Sequence, residues 1–147
     1  MSSSAKRATV VIQPPNSYDG AMNQRPAYDM NMNVLFEALT KIDVPHLVET
    51  CPSDWWNQTL CEVNDCVVRL GIIQGEFHWH KHDEEDEFFF VLEGELHIDV
   101  EGRDSVVLGV HQGYTVPRGV VHRTRAPERV VMLMMEKGGV VPTGDED

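Results

Sequence analysis

The sequence predicts an all-β protein, an antiparallel sandwich or barrel of short strands, preceded by a short helix and an irregular N-terminal arm. Three observations carry this. From Gln58 onward apolar residues recur with period two, the spacing at which alternate side chains share one face of a strand. Gly94, Gly102, Gly109, Gly113 and Gly119 interrupt that pattern at short intervals, as turns between strands do. With 147 residues and 41% apolar content, the chain has the material for one domain that buries roughly two-thirds of its unfolded surface.

Taken in order, residues 1–32 carry Ser, Asn, Gln, Pro14, Pro15 and Pro26 with little periodicity, and are expected to form a flexible arm. Within it Val10, Val11 and Ile12 could add a strand to an exposed edge, in the same chain or a neighbour. The barrel domain is expected over 33–147. A helix is predicted over 34–39, with Asn33 as its N-cap. Trp55 and Trp56 are expected to anchor the entry to the barrel, their indole nitrogens hydrogen-bonded.

Asn64 and Asp65 predict a two-residue hairpin turn, which sets Val63 opposite Cys66 and Cys61 opposite Val68. Cys61 and Cys66 then do not face each other. Together with Cys51 they are odd in number, and are expected to be small buried hydrophobes in a reducing compartment. Cys66, Val68, Leu70 and Ile72 alternate with Val67, Arg69, Gly71 and Ile73, a strand apolar on both faces. Leu96, Ile98 and Val100 alternate with His97, Asp99 and Glu101, a half-exposed strand. Residues 130–135 (Val-Val-Met-Leu-Met-Met) predict a last strand buried on both faces, and the closing residues 138–139 and 144–147 a solvated tail.

The chemistry gathers between Gly75 and Gly94. His80 and His82 stand two apart, so an extended backbone turns both imidazoles to one face, within reach of one metal ion. Glu87 can join them from the start of the next strand. Pro117, Arg118 and Gly119 form a turn that delivers His122 into a later β segment. Neutral imidazole suits Fe, Mn, Ni, Cu and Zn, and one carboxylate lowers the net charge of a bound divalent ion to about +1. Four such ligands on an octahedral ion leave two positions open. The set is chemically close to the His/His/carboxylate sites of oxygen-activating iron enzymes, and equally serves a Lewis acid or the ionisation of a water.

These two stretches resemble the paired motifs of the cupin superfamily. Its first motif, His-x-His, three or four residues, Glu, six residues, Gly, is matched by His80, His82, Glu87 and Gly94. Its second, Pro-x-Gly-x-x-His, is matched by Pro117, Gly119 and His122. The glycine that usually precedes the first histidine comes one position late, at Gly75, and Ala126 stands where the second motif often ends in Asn. Neither departure removes a ligand. The resemblance runs from about Asn33 to the C-terminus and is closest to the small single-domain cupins. It implies a jelly-roll barrel and one divalent metal, Fe or Mn ahead of Zn, Ni or Cu, on His80, His82, Glu87 and His122. Similar small cupins often form dimers, so a homodimer is expected.

His78 shares the nominal face of His80 and His82 but falls outside the family pattern; it is expected to line the pocket or stand behind the ligands. Phe89 is expected to share the interior with Glu87 while Phe88 and Phe90 point outward. His46, His97 and His111 are expected on the surface. The run 83–86 (Asp-Glu-Glu-Asp) lacks the Gly and distal Glu of an EF-hand loop and is expected to be a solvated turn.

A net charge of −12 disfavours nucleic acid and anionic membrane surfaces as partners, since phosphate contacts need clustered Lys and Arg. No apolar run approaches a membrane span and no apolar stretch follows Lys6 and Arg7, so a cytoplasmic protein is expected. The sequon at Asn57–Gln58–Thr59 then carries no weight. No nucleophile triad, phosphate loop or dinucleotide fingerprint is present in the sequence, so any catalysis runs through the metal. Two functions remain: a metalloenzyme acting on a small polar organic molecule, with dioxygenase-type chemistry ahead of isomerisation or elimination, or a non-catalytic ligand-binding cupin with a structural metal.

Overall fold

The computed structural model describes residues 9–10, 28–51, 53–140 and 142–145. Among them are nine strands and one helix: β1 (Thr9–Val10), β2 (Tyr28–Asn31), α1 (Val44–Glu49), β3 (Trp56–Val63), β4 (Cys66–Glu76), β5 (Glu87–Glu93), β6 (Leu96–Val100), β7 (Val106–Leu108), β8 (Gly113–Val116) and β9 (His122–Lys137). The hydrogen-bonded path runs β1-β2-β3-β4-β9-β5-β8, with β6 paired to β9 and β7 to β6. All pairs are antiparallel except β2–β3, which is parallel.

The sixteen-residue β9 organises the barrel. Its first residues pair with β6, and its later ones lie between β4 and β5. On the inner face Val91, Leu96, Ile98, Val130, Phe89 and Met132 are buried against one another. On the outer face Trp56, Leu60, Leu70, Ile72 and Val131 form a second cluster, roofed by Phe36, Ile42, Val44 and Leu47. Strand β4 therefore needs apolar residues at both parities, and the sequence supplies them.

The β3–β4 hairpin forms in the predicted register, Val63 opposite Cys66 and Cys61 opposite Val68, with Asn64 in the left-handed conformation that a two-residue turn requires. Gly94 turns β5 into β6 at φ 82°, and a Cβ there would stand 2.5 Å from the Arg129 carbonyl oxygen.

Several expectations are corrected. The helix lies at Val44–Glu49, capped by Asp43, whose carboxylate accepts from the His46 N–H. Residues near 34–39 are not helical because Leu35 and Phe36 donate backbone hydrogen bonds to Thr59 and Leu60 of β3, and Leu39 sits at φ 65°. Tyr28–Asn31, placed in the arm by its composition, forms β2. Thr9 and Val10 pair with β2 of the same chain, while Val11, Ile12 and most of the arm lie outside the described residues. The three cysteines are free, as expected, but only partly buried. Met135 is exposed, because the outer face of β9 emerges beyond the α1 roof. The indole nitrogen of Trp56 is buried among aliphatic neighbours without a hydrogen-bond partner. No helix of the described residues is long and apolar enough to cross a membrane.

Candidate metal centre

Beyond β4, His80 forms an isolated antiparallel bridge with His122: each N–H donates to the other's carbonyl at 2.9 Å. This bridge takes the place of a full strand and keeps the two-residue alternation that aims His80 and His82 inward. Glu87 opens β5 and His122 opens β9. The Pro117 turn closes on the same segment, since the Gly119 N–H donates to the His82 carbonyl at 2.7 Å, with Gly119 at φ 76°.

One ligand atom from each of His80, His82, Glu87 and His122 lies within 4.8 Å of the others. His82, Glu87 and His122 are buried. The Nδ1–H of His80 donates to the His78 carbonyl and that of His122 to the Val120 carbonyl, both at 2.9 Å. A carbonyl only accepts, so each ring keeps its proton on Nδ1 and offers an Nε2 lone pair. The Nε2 of His122 is buried without a partner. His82 Nε2 and Glu87 Oε2 stand 2.7 Å apart, yet neither is aligned for a hydrogen bond. Buried polar atoms left unmet in a native fold require an explanation, and a shared cation would supply it. The donor set fits a divalent transition metal.

Electrostatics agree for two of the rings. Burial, then the neighbouring His122, pushes the His80 imidazole down to about 3, and burial lowers His122, so both stay neutral at ordinary pH, the form in which an imidazole can hold a metal. For His82 burial opposes the charged form, but the Glu87 carboxylate 2.7 Å away, with the further charges of Glu136 and Asp145, outweighs it and raises the imidazole.

The cavity beside these residues is walled by Trp55, Phe77, Phe89, Met132 and Met134, with Glu136 as a polar element, and His80 and Glu87 at its edge. Its free space is about 40 Å³, room for only a few waters at roughly 10–15 Å³ each. Phe89 lines it, with Phe88 exposed and Phe90 half-buried, as the strand parity predicts. His78 contributes no atom to the four-ligand group; its ring lies 5.3 Å from that of His80 and bonds to the Thr143 carbonyl. His46 and His111 are exposed and His97 half-buried beside Glu95.

Sequence reasoning missed a buried ion pair at the cavity. Arg69 Nε lies 2.7 Å from Glu136 Oε1, with side chains 2% and 3% exposed, and Glu136 is the cross-strand partner of Glu87. Burial, then repulsion from Glu87, pushes the Glu136 carboxyl up to about 7 against the pull of Arg69. The signal was present: Arg69 interrupts the inward series Val67, Gly71, Ile73, and Glu136 continues the inward series Met132, Met134.

A Cupin domain family model matches residues 68–136. The Bacillus subtilis (strain 168) protein YdbB is 46% identical over 80 residues, covering 54% of this chain and 71% of that protein. The crystal structure of a cupin-2 domain-containing protein from Shewanella frigidimarina is 30% identical, with TM-score 0.62 over 65% of this chain and 93% of that one. A Neisseria meningitidis protein, 20% identical with TM-score 0.61 over 67% of this chain and 99% of its own, shares the fold.

Proposed function

Because the chain belongs to the cupin family, we propose that it is a cytoplasmic metalloenzyme that holds one divalent ion on His80, His82, Glu87 and His122, Fe or Mn ahead of Zn, Ni or Cu, and acts on a small polar organic molecule. The observation that carries this is the convergence of four donor atoms within 4.8 Å, with two of the imidazoles locked by backbone carbonyls in the ligating tautomer. When bound, the ion supplies a Lewis acid with open coordination positions, the setting for oxygenation ahead of isomerisation or elimination. Glu87 offsets the ion's charge. Trp55, Phe77 and Phe89 give the site an apolar wall that excludes water. Glu136, with a carboxyl near neutrality, can hold or release a proton at the cavity wall. The three free cysteines suit a reducing compartment. The same proposal extends to assembly as a homodimer.

Metal analysis of wild type against His80→Ala/His82→Ala tests the centre; equal, substoichiometric metal in both sinks it. Oxygen consumption by the iron-loaded protein across phenols, thiols, diketones and hydroxy acids tests the chemistry. The rival reading is a non-catalytic ligand-binding cupin with a structural metal. Tight binding of a panel member without turnover of any would establish that rival.

A further inference from the structure

Gly144 and Asp145 do not lie in the solvated tail that their composition predicts. After Val140, which is buried, the chain returns across the segment that carries the histidines. The His78 Nε2–H donates to the Thr143 carbonyl at 2.6 Å. The Asp145 N–H donates to the Lys81 carbonyl at 2.9 Å, and the Asp83 N–H to Asp145 Oδ2 at 2.7 Å. Between these bonds Gly144, at φ 96°, lies flat on His80: a Cβ there would stand 2.5 Å from the His80 Cβ and 3.1 Å from the Lys81 oxygen. Pro142 forms part of the cavity wall. His80 is thus held from two sides, by its bridge to His122 and by this segment. Only glycine combines that φ with so close an approach.

We propose that residues 142–145 are a strap that fixes the His80 segment in its ligating position and controls exchange of the ion and small molecules between cavity and solvent. A partner that orients a ligand from behind changes metal affinity by roughly 10–100-fold when lost, and a strap that also walls the cavity acts on release rates as well. The role in ion exchange rests on the four-ligand reading, whereas the role in shielding His78 and His80 does not.

The test uses the full chain with Gly144→Ala, which drives a methyl into His80, and Asp145→Ala, which removes the acceptor for Asp83. Release of Zn²⁺ from the loaded protein to excess EDTA is expected to be about tenfold faster or more in both. In the metal-free proteins, carbethoxylation of His78 and His80 by diethyl pyrocarbonate, mapped by mass spectrometry, should accelerate while the exposed His46 reacts at its wild-type rate. If Gly144→Ala does not fold, Asp145→Ala decides. Should the wild type take up no zinc, the four-ligand reading falls and the labelling rates alone decide the strap. Either rate left at the wild-type value in the folded variants overturns the proposal.

Discussion

Glu87 and Glu136 face each other across β5 and β9, yet their surroundings assign them different tasks. Glu87 points at three imidazoles, whereas Glu136 is tied to Arg69. Glu87→Gln should therefore weaken metal binding by roughly tenfold or more, because a neutral amide no longer offsets the ion's charge; competition against a chromogenic chelator measures it. Intact metal content with lost turnover would make Glu87 a proton acceptor instead, and no change in either would remove it from the site. A second prediction concerns acid. The His80 imidazole is held down near 3 by burial and by His122, so between about pH 6.5 and 3 the unfolded chain takes up a proton that the native metal-free fold refuses. Its contribution is neutral above that window, and stability is lost as pH falls through it. His82 and Glu136, both shifted upward, act in the opposite sense. The His80 part is isolated by comparing thermal midpoints of wild type and His80→Gln from pH 7.5 to 4: the wild type should lose ground to the variant as pH falls. A constant gap would remove His80 as a buried neutral group. The four converging donors were legible in the sequence because their spacing is local: two residues in one segment, a strand start, a turn. The pairing of Arg69 with Glu136 was not, although each stands in an inward apolar series, since the two meet only when β4 and β9 come into register.

Strand pairing also explains how His122 is positioned. His122 lies opposite Val100, and the next register pair sets Arg123 opposite Asp99. Asp99 accepts from Arg123 Nε at 2.8 Å and from Arg125 Nε and Nη2 at 2.6 and 2.9 Å, and also takes the Ser105 hydroxyl. Hydrogen bonding from Arg125 is the largest influence that holds its carboxyl well below the usual range. Arg123 in turn lies over the Trp79 ring, 4.9 Å from its centre. This clamp fastens β6 to the start of β9, where His122 emerges. Asp99→Asn should cost about 1–3 kcal/mol, as expected when donors to a charged acceptor lose it, and denaturant unfolding measures that; a loss within the error of the wild-type midpoint would make the clamp a solvated surface feature. The alternation of Leu96, Ile98 and Val100 with His97, Asp99 and Glu101 was readable, and so was the outward direction of Asp99. Its burial was not, because Arg123 and Arg125 cover it from a strand over twenty residues away. The misplaced helix has a similar cause: backbone bonds from Leu35 and Phe36 to β3 outweigh a local helical pattern, and Asp43 with Pro45 starts the helix later.

At the scale of the molecule, turns and parity specified the barrel, whereas what lies on its outer face depended on how far the 33–51 segment reaches. That roof ends short of the row in which Val68, Met135 and Phe88 lie side by side across β4, β9 and β5. Phe88 and Met135 remain 36% and 43% exposed, with Phe90 and Leu133 half-buried beside them. A flat apolar row on a sheet can meet its own copy about a two-fold axis, and such pairing removes it from water. A net charge of −12 opposes the approach of two copies, so association should strengthen with salt as the repulsion is screened. Light scattering on the full chain is expected to give twice the 16.6 kDa chain mass at moderate ionic strength. Met135→Glu should return it to the monomer without lowering the unfolding midpoint by more than a few degrees, since the side chain is solvent-facing. A second chain beginning at Met32 separates the arm from the face. Removing residues 1–31 also removes β1 and β2, so its fold is checked first by circular dichroism. A dimer that survives this truncation and is lost in Met135→Glu assigns assembly to the sheet face; a dimer lost on truncation but kept in Met135→Glu assigns it to the arm. A monomeric mass for the full chain at every salt concentration rules out the dimer.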